Sequence, residues 1–421
     1  MSHVKMQGSI VVVGVGPAGI AAAWAAAEAG GDVLMVDNGA AAGGQIWRGG
    51  KALDRLSTKW LRRLERAKGI RRVGALVVSA EADRKLLLAE TAEGGSVGVR
   101  YEKLILATGA RERFLPFAGW TLPGVVGAGG LQALVKSGLD VRGKRVVLAG
   151  SGPLLLAVAD LLREREATVV LIAEQARMAA IMRFGMKLAS APAKLIQAVV
   201  LKARLATVPY LTGCWVERAE GAERLKSVML NQGGRRWRVE CDYLGTGFGL
   251  IPNMELAGLL GCETGPGGVV VDARQRTSVE GVYCAGEAAG IGGVDKSLAE
   301  GEIAGWAAAG QEDTARALEG VRAKQLGFAA ALGEAFGLRE ELKGLVTAET
   351  VVCRCEDVRM GALEGMEDWR EAKLQTRCGM GRCQGRVCGG ALEFLKGWTP
   401  AVVKPPVFPA RVATMVAEDE V

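Results

Sequence analysis

The stretch from Ser9 to Asp37 constrains this chain more than any other. Ser9 to Val13 is an apolar, β-branched run, the pattern of a parallel strand buried on both faces. Gly14-Val-Gly16-Pro17-Ala18-Gly19 follows and opens a helix-prone stretch from Ile20 to Ala29. A second strand, Asp32 to Val36, ends at Asp37. Strand, glycine turn, helix and acidic strand end together form the βαβ fingerprint of a dinucleotide site. Gly14 permits the tight turn, Gly16 lets the backbone approach a pyrophosphate, and Gly19 lets helix and strand pack closely. The helix N-terminus at Pro17 and Ala18 turns its partial positive charge toward the phosphates. Asp37 suits the adenosine ribose hydroxyls. The fingerprint alone does not separate FAD from NAD.

The same unit recurs in the middle of the chain. Arg145 to Ala149 is an apolar strand, Gly150-Ser-Gly152-Pro-Leu-Leu155 is the turn, and the strand Thr168 to Ala173 ends at Glu174. Gly14 to Asp37 spans 23 positions and Gly150 to Glu174 spans 24. Leu155 stands where the third glycine belongs. Its branched side chain is expected to push the helix off the strand and shift the helix N-terminus. Gly150, Gly152 and Glu174 thus mark a damaged second site for NAD(P) or an ATP-like nucleotide. Glu174 would repel a 2′-phosphate, and Arg177 is the one cation close to it in sequence.

The 421 residues give room for two or three domains. A net charge of +7, spread without blocks, carries no nucleic-acid signal. The single histidine is His3, which excludes Ser-His-Asp triads and histidine-rich metal sites. Two uncharged stretches, Met6 to Ala27 and Phe114 to Val135, imitate a signal peptide or membrane span. Glycines and prolines break both, so no membrane span is expected. Nine cysteines include five between Cys353 and Cys388, a clustering that points to a metal site in a reducing, cytoplasmic compartment.

Two further segments carry a resemblance. Leu104-Ile-Leu-Ala107-Thr108-Gly109-Ala110 is a strand ending in a small polar turn, and Thr277 to Glu287 combines a short apolar strand with a Gly-acid pair. Here the chain resembles the thioredoxin-reductase-like and glutathione-reductase-like flavoproteins. The resemblance implies FAD in the first site and a pyridine nucleotide in the second. It also implies that Gly286 and Glu287 place a carboxylate beside the flavin ribityl and phosphate region. Most members have Asp there. That superfamily's redox disulfide is missing, since neither nucleotide-binding region contains C-x-x-C, so the chain is not a disulfide reductase.

Residues 353 to 388 read C-R-C, then 27 residues, then C-Q-G-R-V-C. Cys353, Cys355, Cys383 and Cys388 offer two thiolate pairs to a four-coordinate metal centre. Zinc is the alternative occupant, but zinc knuckles favour C-x₂₋₄-C, and a flavin in the same chain gives an electron carrier a task; the reading is [2Fe–2S]. Arg354, Arg377, Arg382 and Arg386 are expected to offset the negative cluster charge. Cys378 is surplus, either an alternative ligand or a small filler; two pairs already complete the coordination, so it reads as filler.

This segment resembles the bacterioferritin-associated-ferredoxin-like module, with C-x₄-C in place of C-x₂-C. Taken with Gly43-Gly44-Gln45-Ile46-Trp47-Arg48, the Gly150 turn and Gln275-Arg276-Thr277-Ser278, nearly the whole chain is similar to one family. That family comprises the A-type subunits of opine oxidases, the B subunit of hydrogen cyanide synthase and the α subunits of proline and hydroxyproline dehydrogenases. The resemblance implies flavin contacts at Gly44, Gln45, Ala107, Thr108 and Gly109. It also implies a partner flavoprotein of the glycine/D-amino-acid-oxidase type, with a further small subunit in some complexes. That partner oxidises a C–N bond, and this chain relays the electrons. No catalytic acid, base or nucleophile stands out, which suits a relay.

The expected fold is α/β: two Rossmann-like dinucleotide-binding domains, one discontinuous, plus a small C-terminal helical [2Fe–2S] module. Residues 1–120 with 242–310 are expected to form the FAD domain, and 121–241 the second nucleotide domain. A helical linker over 311–344, the cluster module over 345–398 and an extended tail over 399–421 complete the chain. The competing function is a self-sufficient NAD(P)H-dependent ferredoxin-type reductase.

Overall fold

The computed structural model describes residues 3–48, 55–188, 192–399 and 403–416. The chain forms two compact units. One contains Met1–Arg111, Ile251–Ala330 and Val402–Val421; the other contains Glu112–Leu250 and Ala331–Ala401. Both are built on parallel sheets, so the chain is α/β as its two βαβ patterns require.

In the first unit the strand His3–Val13 runs parallel to Val33–Asp37 on one side and Ser96–Leu106 on the other. Val282–Cys284 pairs beyond Ser96–Leu106, and Ile70–Glu81 pairs beyond Val33–Asp37. The far half of Ile70–Glu81 leaves the parallel sheet and joins Leu86–Thr91 in an antiparallel meander that returns to Ser96–Leu106. Ile10 and Val12 enter one apolar cluster while Val11 and Val13 enter another. Both sheet faces are therefore covered, which is why the strand reads as a continuous apolar run rather than an alternating one.

The helix Pro17–Glu28 is alanine-rich for a packing reason. It lies against the helix Val294–Ala308, where a Cβ on Gly301 would stand 2.2 Å from the Ala18 carbonyl oxygen and a Cβ on Gly305 would stand 2.3 Å from that of Ala22. Glycines four apart on one helix meet small residues on the other, and the two backbones touch. The C-terminal segment also packs on this unit: the Val407 N–H donates to the Val78 carbonyl at 2.8 Å, and Val407 is buried.

The second unit carries a five-stranded parallel sheet in the order Tyr210–Thr212, Thr168–Glu174, Arg145–Gly150, Tyr243–Gly247, Val125–Gly127. A three-stranded antiparallel sheet, Cys214–Glu220, Ser227–Gln232 and Arg235–Glu240, accompanies it. The cysteine-rich segment belongs to the same unit. It consists of a short hairpin, Val351–Cys353 with Val358–Arg359, and the helices Trp369–Thr376 and Cys388–Lys396. Asp368 caps the first of these helices by accepting from Glu371 N at 2.7 Å, and Glu371 accepts in return from Glu367 N at 2.9 Å. Among the described residues no helix is long and apolar enough to cross a membrane. The uncharged run after Met6 is strand, turn and helix; the run before Val135 holds the strand Val125–Gly127 and most of the helix Ala128–Lys136.

Candidate cofactor sites

The first glycine turn divides its three glycines between two jobs. Gly14 has φ +101°, and a Cβ on it would come within 2.3 Å of the Ala107 carbonyl oxygen; a Cβ on Gly19 would come within 1.9 Å of the Gly14 carbonyl oxygen. Packing alone therefore demands both. A Cβ on Gly16 would meet nothing within 4 Å. Among the described residues the Gly16 N–H has no acceptor, and the helix Pro17–Glu28 has no side-chain cap. Uncapped N–H groups at a helix start, beside free space, suit a phosphate. Gly44 comes over the same turn, its would-be Cβ 2.9 Å from Gly16 Cα, while Gln45 beside it is exposed. Asp37 accepts from Val15 N at 3.0 Å and from Gly39 N at 2.7 Å, which fixes its carboxylate at the strand end with lone pairs to spare.

Three other segments reach this turn. Ala107 underlies Gly14 and Gly19. Next to it, Thr108 is locked to Asn253 by a reciprocal pair: Thr108 Oγ1 donates to the Asn253 carbonyl at 2.8 Å and Asn253 Nδ2 donates to the Thr108 carbonyl at 2.9 Å. Gly109 has φ +68° and open surroundings. Gly286, at φ +80°, sits so close to Ala18 that a Cβ would come within 2.7 Å of the Ala18 Cβ. This contact sets Glu287 beside the first turn.

Glu287 is the informative group. Its Oε1 accepts from Gly293 N at 2.7 Å and Gly292 N at 3.3 Å, yet its Oε2 is buried with no partner among the described residues. Burial pushes its carboxyl above the ordinary 4.5, against the pull of the two backbone donors. A buried carboxylate oxygen left unpaired is costly, so an orphan aimed beside a nucleotide turn fits a hydroxyl-bearing cofactor. The turn that carries it is clamped by residues that no sequence motif marked. Buried Lys296 donates to the Gly286 and Gly290 carbonyls at 3.1 and 2.8 Å and to Glu300 Oε2 at 2.6 Å; Glu300 Oε2 also accepts from Gly286 N at 3.0 Å. Arg322 reaches the other Glu300 oxygen at 3.2 Å. The only sequence trace of this clamp is the i, i+4 spacing of Lys296 and Glu300 in one helix.

The second turn keeps the first glycine, with Gly150 at φ +142° and its would-be Cβ 2.0 Å from the Gly247 carbonyl oxygen, but differs beyond it. The Gly152 N–H is consumed, donating to buried Glu174 Oε2 at 2.8 Å, and the Ser151 N–H donates to the Gly247 carbonyl at 2.6 Å. Gly152 has φ +93°, where Gly16 is extended at φ −79°, and the helix begins one residue later, at Leu154. Phe336 covers the turn: a Cβ on Gly152 would lie 3.8 Å from Phe336 Cβ and Cγ, and Ser151 Oγ donates to the Phe336 carbonyl at 2.7 Å. Gln175 donates to Ser151 Oγ at 2.8 Å and to the Gly337 carbonyl at 3.0 Å, and accepts from Arg339 N at 3.2 Å. The segment after the helix Glu319–Phe336 thus takes up the polar groups of the cradle. Leu155 is fully buried, and the space for it comes from the neighbouring strand: a Cβ on Gly247 would stand 3.1 Å from Leu155 Cδ2. In the first turn the corresponding pair is reversed, with Gly19 on the helix and Ala107 beneath it.

The five clustered cysteines separate into a buried group and an exposed one. The sulfurs of Cys353, Cys378 and Cys388 all lie within 4.8 Å of one another, and all three residues are buried. Gly379 N donates to Cys353 Sγ at 3.5 Å. Hydrogen bonds from Cys378 and Cys388 hold the Cys353 thiol far below its ordinary value, while donating to Cys353 pushes Cys378 up to about 12 and raises Cys388 as well. Three buried sulfurs so close together make a donor group of the kind a thiolate-bound metal requires. Cys355 is exposed and Cys383 half-buried, apart from that buried group. Trp369 forms the floor: Cβ atoms on Gly379 and Gly385 would come within 2.6 and 2.9 Å of its ring. Of the nearby arginines, Arg377 pairs with Glu356 at 2.8 Å and Arg354 lies over the Trp120 ring at 5.3 Å. The donor set, buried sulfur with backbone N–H, fits a thiolate-bound metal or an iron–sulfur cluster.

Comparison with known proteins agrees with this geometry. Residues 8–312 match the family described as Pyridine nucleotide-disulphide oxidoreductase. The chain is 31% identical to the HcnB subunit of hydrogen cyanide synthase from Pseudomonas protegens, over 90% of each chain. It is 31% identical to the A-type subunit of opine oxidase from Rhizobium meliloti, over 95% of this chain and 96% of that one. Among solved structures, L-proline dehydrogenase from P. horikoshii superimposes with a TM-score of 0.70 over 99% of this chain and 80% of that chain, at 18% identity, a likeness of fold. The chain belongs to the pyridine nucleotide-disulphide oxidoreductases, an FAD-dependent family, and within them to the group formed by HcnB and the A-type subunits of opine oxidases.

Proposed function

We propose that this chain is the electron-transferring FAD/[2Fe–2S] subunit of a heteromeric dehydrogenase that acts on an amine, imino acid or opine. The observation that carries the reading is the asymmetry of the two turns: the first keeps its donors free, while the second is filled by the chain's own Phe336 segment. A flavoprotein whose second turn offers no cradle to a hydride donor must take its electrons from elsewhere. Relatives over nearly the full length are named as subunits, of hydrogen cyanide synthase and of opine oxidase. The partner is a flavoprotein of the glycine/D-amino-acid-oxidase type, which binds the amine and does the proton chemistry. Nine free thiols suit a cytoplasmic setting.

FAD would lie on Gly14, Gly16, Pro17, Ala18 and Gly19, with Asp37 on its ribose and Thr108, Gly109 and Gly286 lining the turn. When bound, FAD supplies a two-electron acceptor that can release electrons singly, and a [2Fe–2S] centre on Cys353, Cys355, Cys383 and Cys388 supplies a one-electron carrier. The chain's own residues bind and orient. The Gly16 N–H and the uncapped helix would neutralise the FAD pyrophosphate, Glu287 would offer its unpaired oxygen as an acceptor, and the Lys296–Glu300 clamp holds the turn that carries it.

Anaerobic stopped-flow absorbance tests the proposal. NADH and NADPH should reduce the flavin of the isolated chain at least about a hundredfold more slowly than the amine does in the assembled complex, the scale of penalty for a misplaced reactant. Flavin bleaching on the order of tens per second with NADH alone would replace this reading with the self-sufficient reductase.

A further inference from the structure

We propose that Cys378 is a reserve ligand of the cysteine centre, able to replace Cys388 or Cys353 but neither Cys355 nor Cys383. The inference rests on the reading of these cysteines as a metal centre, and deepens it.

Five thiols stand at a site with four thiolate positions, and they are not evenly shared. The buried group has three sulfurs, each within 4.8 Å of the other two. Thiolate–metal bonds of about 2.3 Å at tetrahedral angles put two sulfurs of one metal ion about 3.8 Å apart. Any two of the three can therefore serve one metal ion with small side-chain adjustments. The other group has only Cys355, exposed, and Cys383, half-buried.

The backbone supports the substitution. Cys378 follows Arg377, the left-handed cap of the helix Trp369–Thr376, and precedes Gly379 at φ +80°. Gly379 is pinned between Trp369 and Cys353, its N–H on Cys353 Sγ at 3.5 Å. Cys378 is fully buried and its sulfur lies within 4.8 Å of those of Cys353 and Cys388, so it faces the other thiols. A residue serving only to fill space has no need of such an orientation. The exchange balances: Cys378 releases its thiol proton to solvent and donates the electron pair that the lost thiolate supplied, and the charge at the metal is unchanged.

Iron content and the electron paramagnetic resonance spectrum of the dithionite-reduced full chain test this, with flavin absorbance as the check on folding. Cys378→Ala should keep about two irons and the wild-type spectrum. Cys388→Ala should keep both irons with shifted g values, because one ligand now comes from a different backbone position. Cys388→Ala combined with Cys378→Ala should lose them, and so should Cys383→Ala alone. Cys353→Ala, alone and with Cys378→Ala, repeats the comparison should the Cys388 variant fail to fold. Loss of iron from Cys388→Ala and Cys353→Ala as complete as from Cys383→Ala overturns the reserve role. Loss from Cys378→Ala alone also overturns it, by making Cys378 a primary ligand. Wild-type protein with zinc and no iron defeats the electron-transfer reading instead, and the same variants then test the reserve role through zinc content.

Discussion

The turns at Gly14 and Gly150 have the same strand before them, the same glycine spacing and an acidic strand end after them, yet they present opposite surfaces. At Gly16 the N–H has no acceptor among the described residues, and a Cβ would meet nothing within 4 Å. At Gly152 the N–H is held by Glu174 at 2.8 Å, and Phe336 lies over the turn. Glycines alone do not make a nucleotide cradle. Unspent donors and free space make it, and both can be removed while every glycine but one is kept. The acidic strand ends show the same division. Asp37 bonds Val15 and Gly39 and stays partly exposed, whereas Glu174 turns inward and takes the very N–H a phosphate would need.

The largest effect on this contrast is expected from Gly16→Val. A Cβ there would meet nothing within 4 Å and the φ is ordinary, so the fold should survive while FAD is lost; flavin-to-protein absorbance of the purified variant measures it, and a yellow, fully loaded variant would mean that the cofactor lies elsewhere. Leu155→Gly tests the other turn. Restoring the fingerprint does not restore a site, because Leu155 fills the space left by Gly247. The variant should lose about 2–5 kcal/mol from the cavity, with a further cost of about 1 kcal/mol for glycine in a helix, and gain no reactivity with NADH. Chemical denaturation and stopped-flow reduction measure the two effects.

Glu287→Gln probes the contrast from the side of the first turn. Removing a charged acceptor should weaken FAD binding by about 1.5–3 kcal/mol, or roughly 10- to 150-fold in Kd, by titration calorimetry. In the FAD-free protein the sign reverses. Burial raises the Glu287 pKa in the folded state, so its contribution to stability is most favourable below the ordinary 4.5 and is lost as pH rises through the raised value. The FAD-free variant should therefore melt higher than FAD-free wild type at neutral pH, and the two should converge below pH 4.5. The smallest effect is expected for Gly152→Ala. Its φ of +93° costs an alanine about 1–2 kcal/mol of stability, while FAD content stays at wild-type level.

The local parts of this architecture were legible in the chain. Strand, turn and helix at Gly14 and Gly150 are short-range patterns, and the acids at Asp37 and Glu174 stand at strand ends as the spacing requires. What covers the second turn was not legible. Phe336 and Arg339 lie far along the chain in a segment that reads only as a charged, alanine-rich helix and its exit. Leu155 read as a wedge because its partner, Gly247, lies on another strand and supplies the missing volume. The Lys296–Glu300 clamp looks like any surface ion pair until burial is known. Cysteine spacing likewise gives which thiols are near in sequence, whereas the grouping of Cys378 with Cys353 and Cys388 depends on how a hairpin and two helices meet.

The contact of Gly286 with Ala18 also governs when the protein can mature. The two residues are about 270 positions apart, and a ribosome adding roughly 5–20 residues per second needs on the order of 15–50 s to connect them. Throughout that interval the nascent chain exposes a finished glycine turn with only half of its walls, while the inserted second unit is still emerging. Flavin capture thus waits on the segment around Gly286, which is made long after the turn it completes.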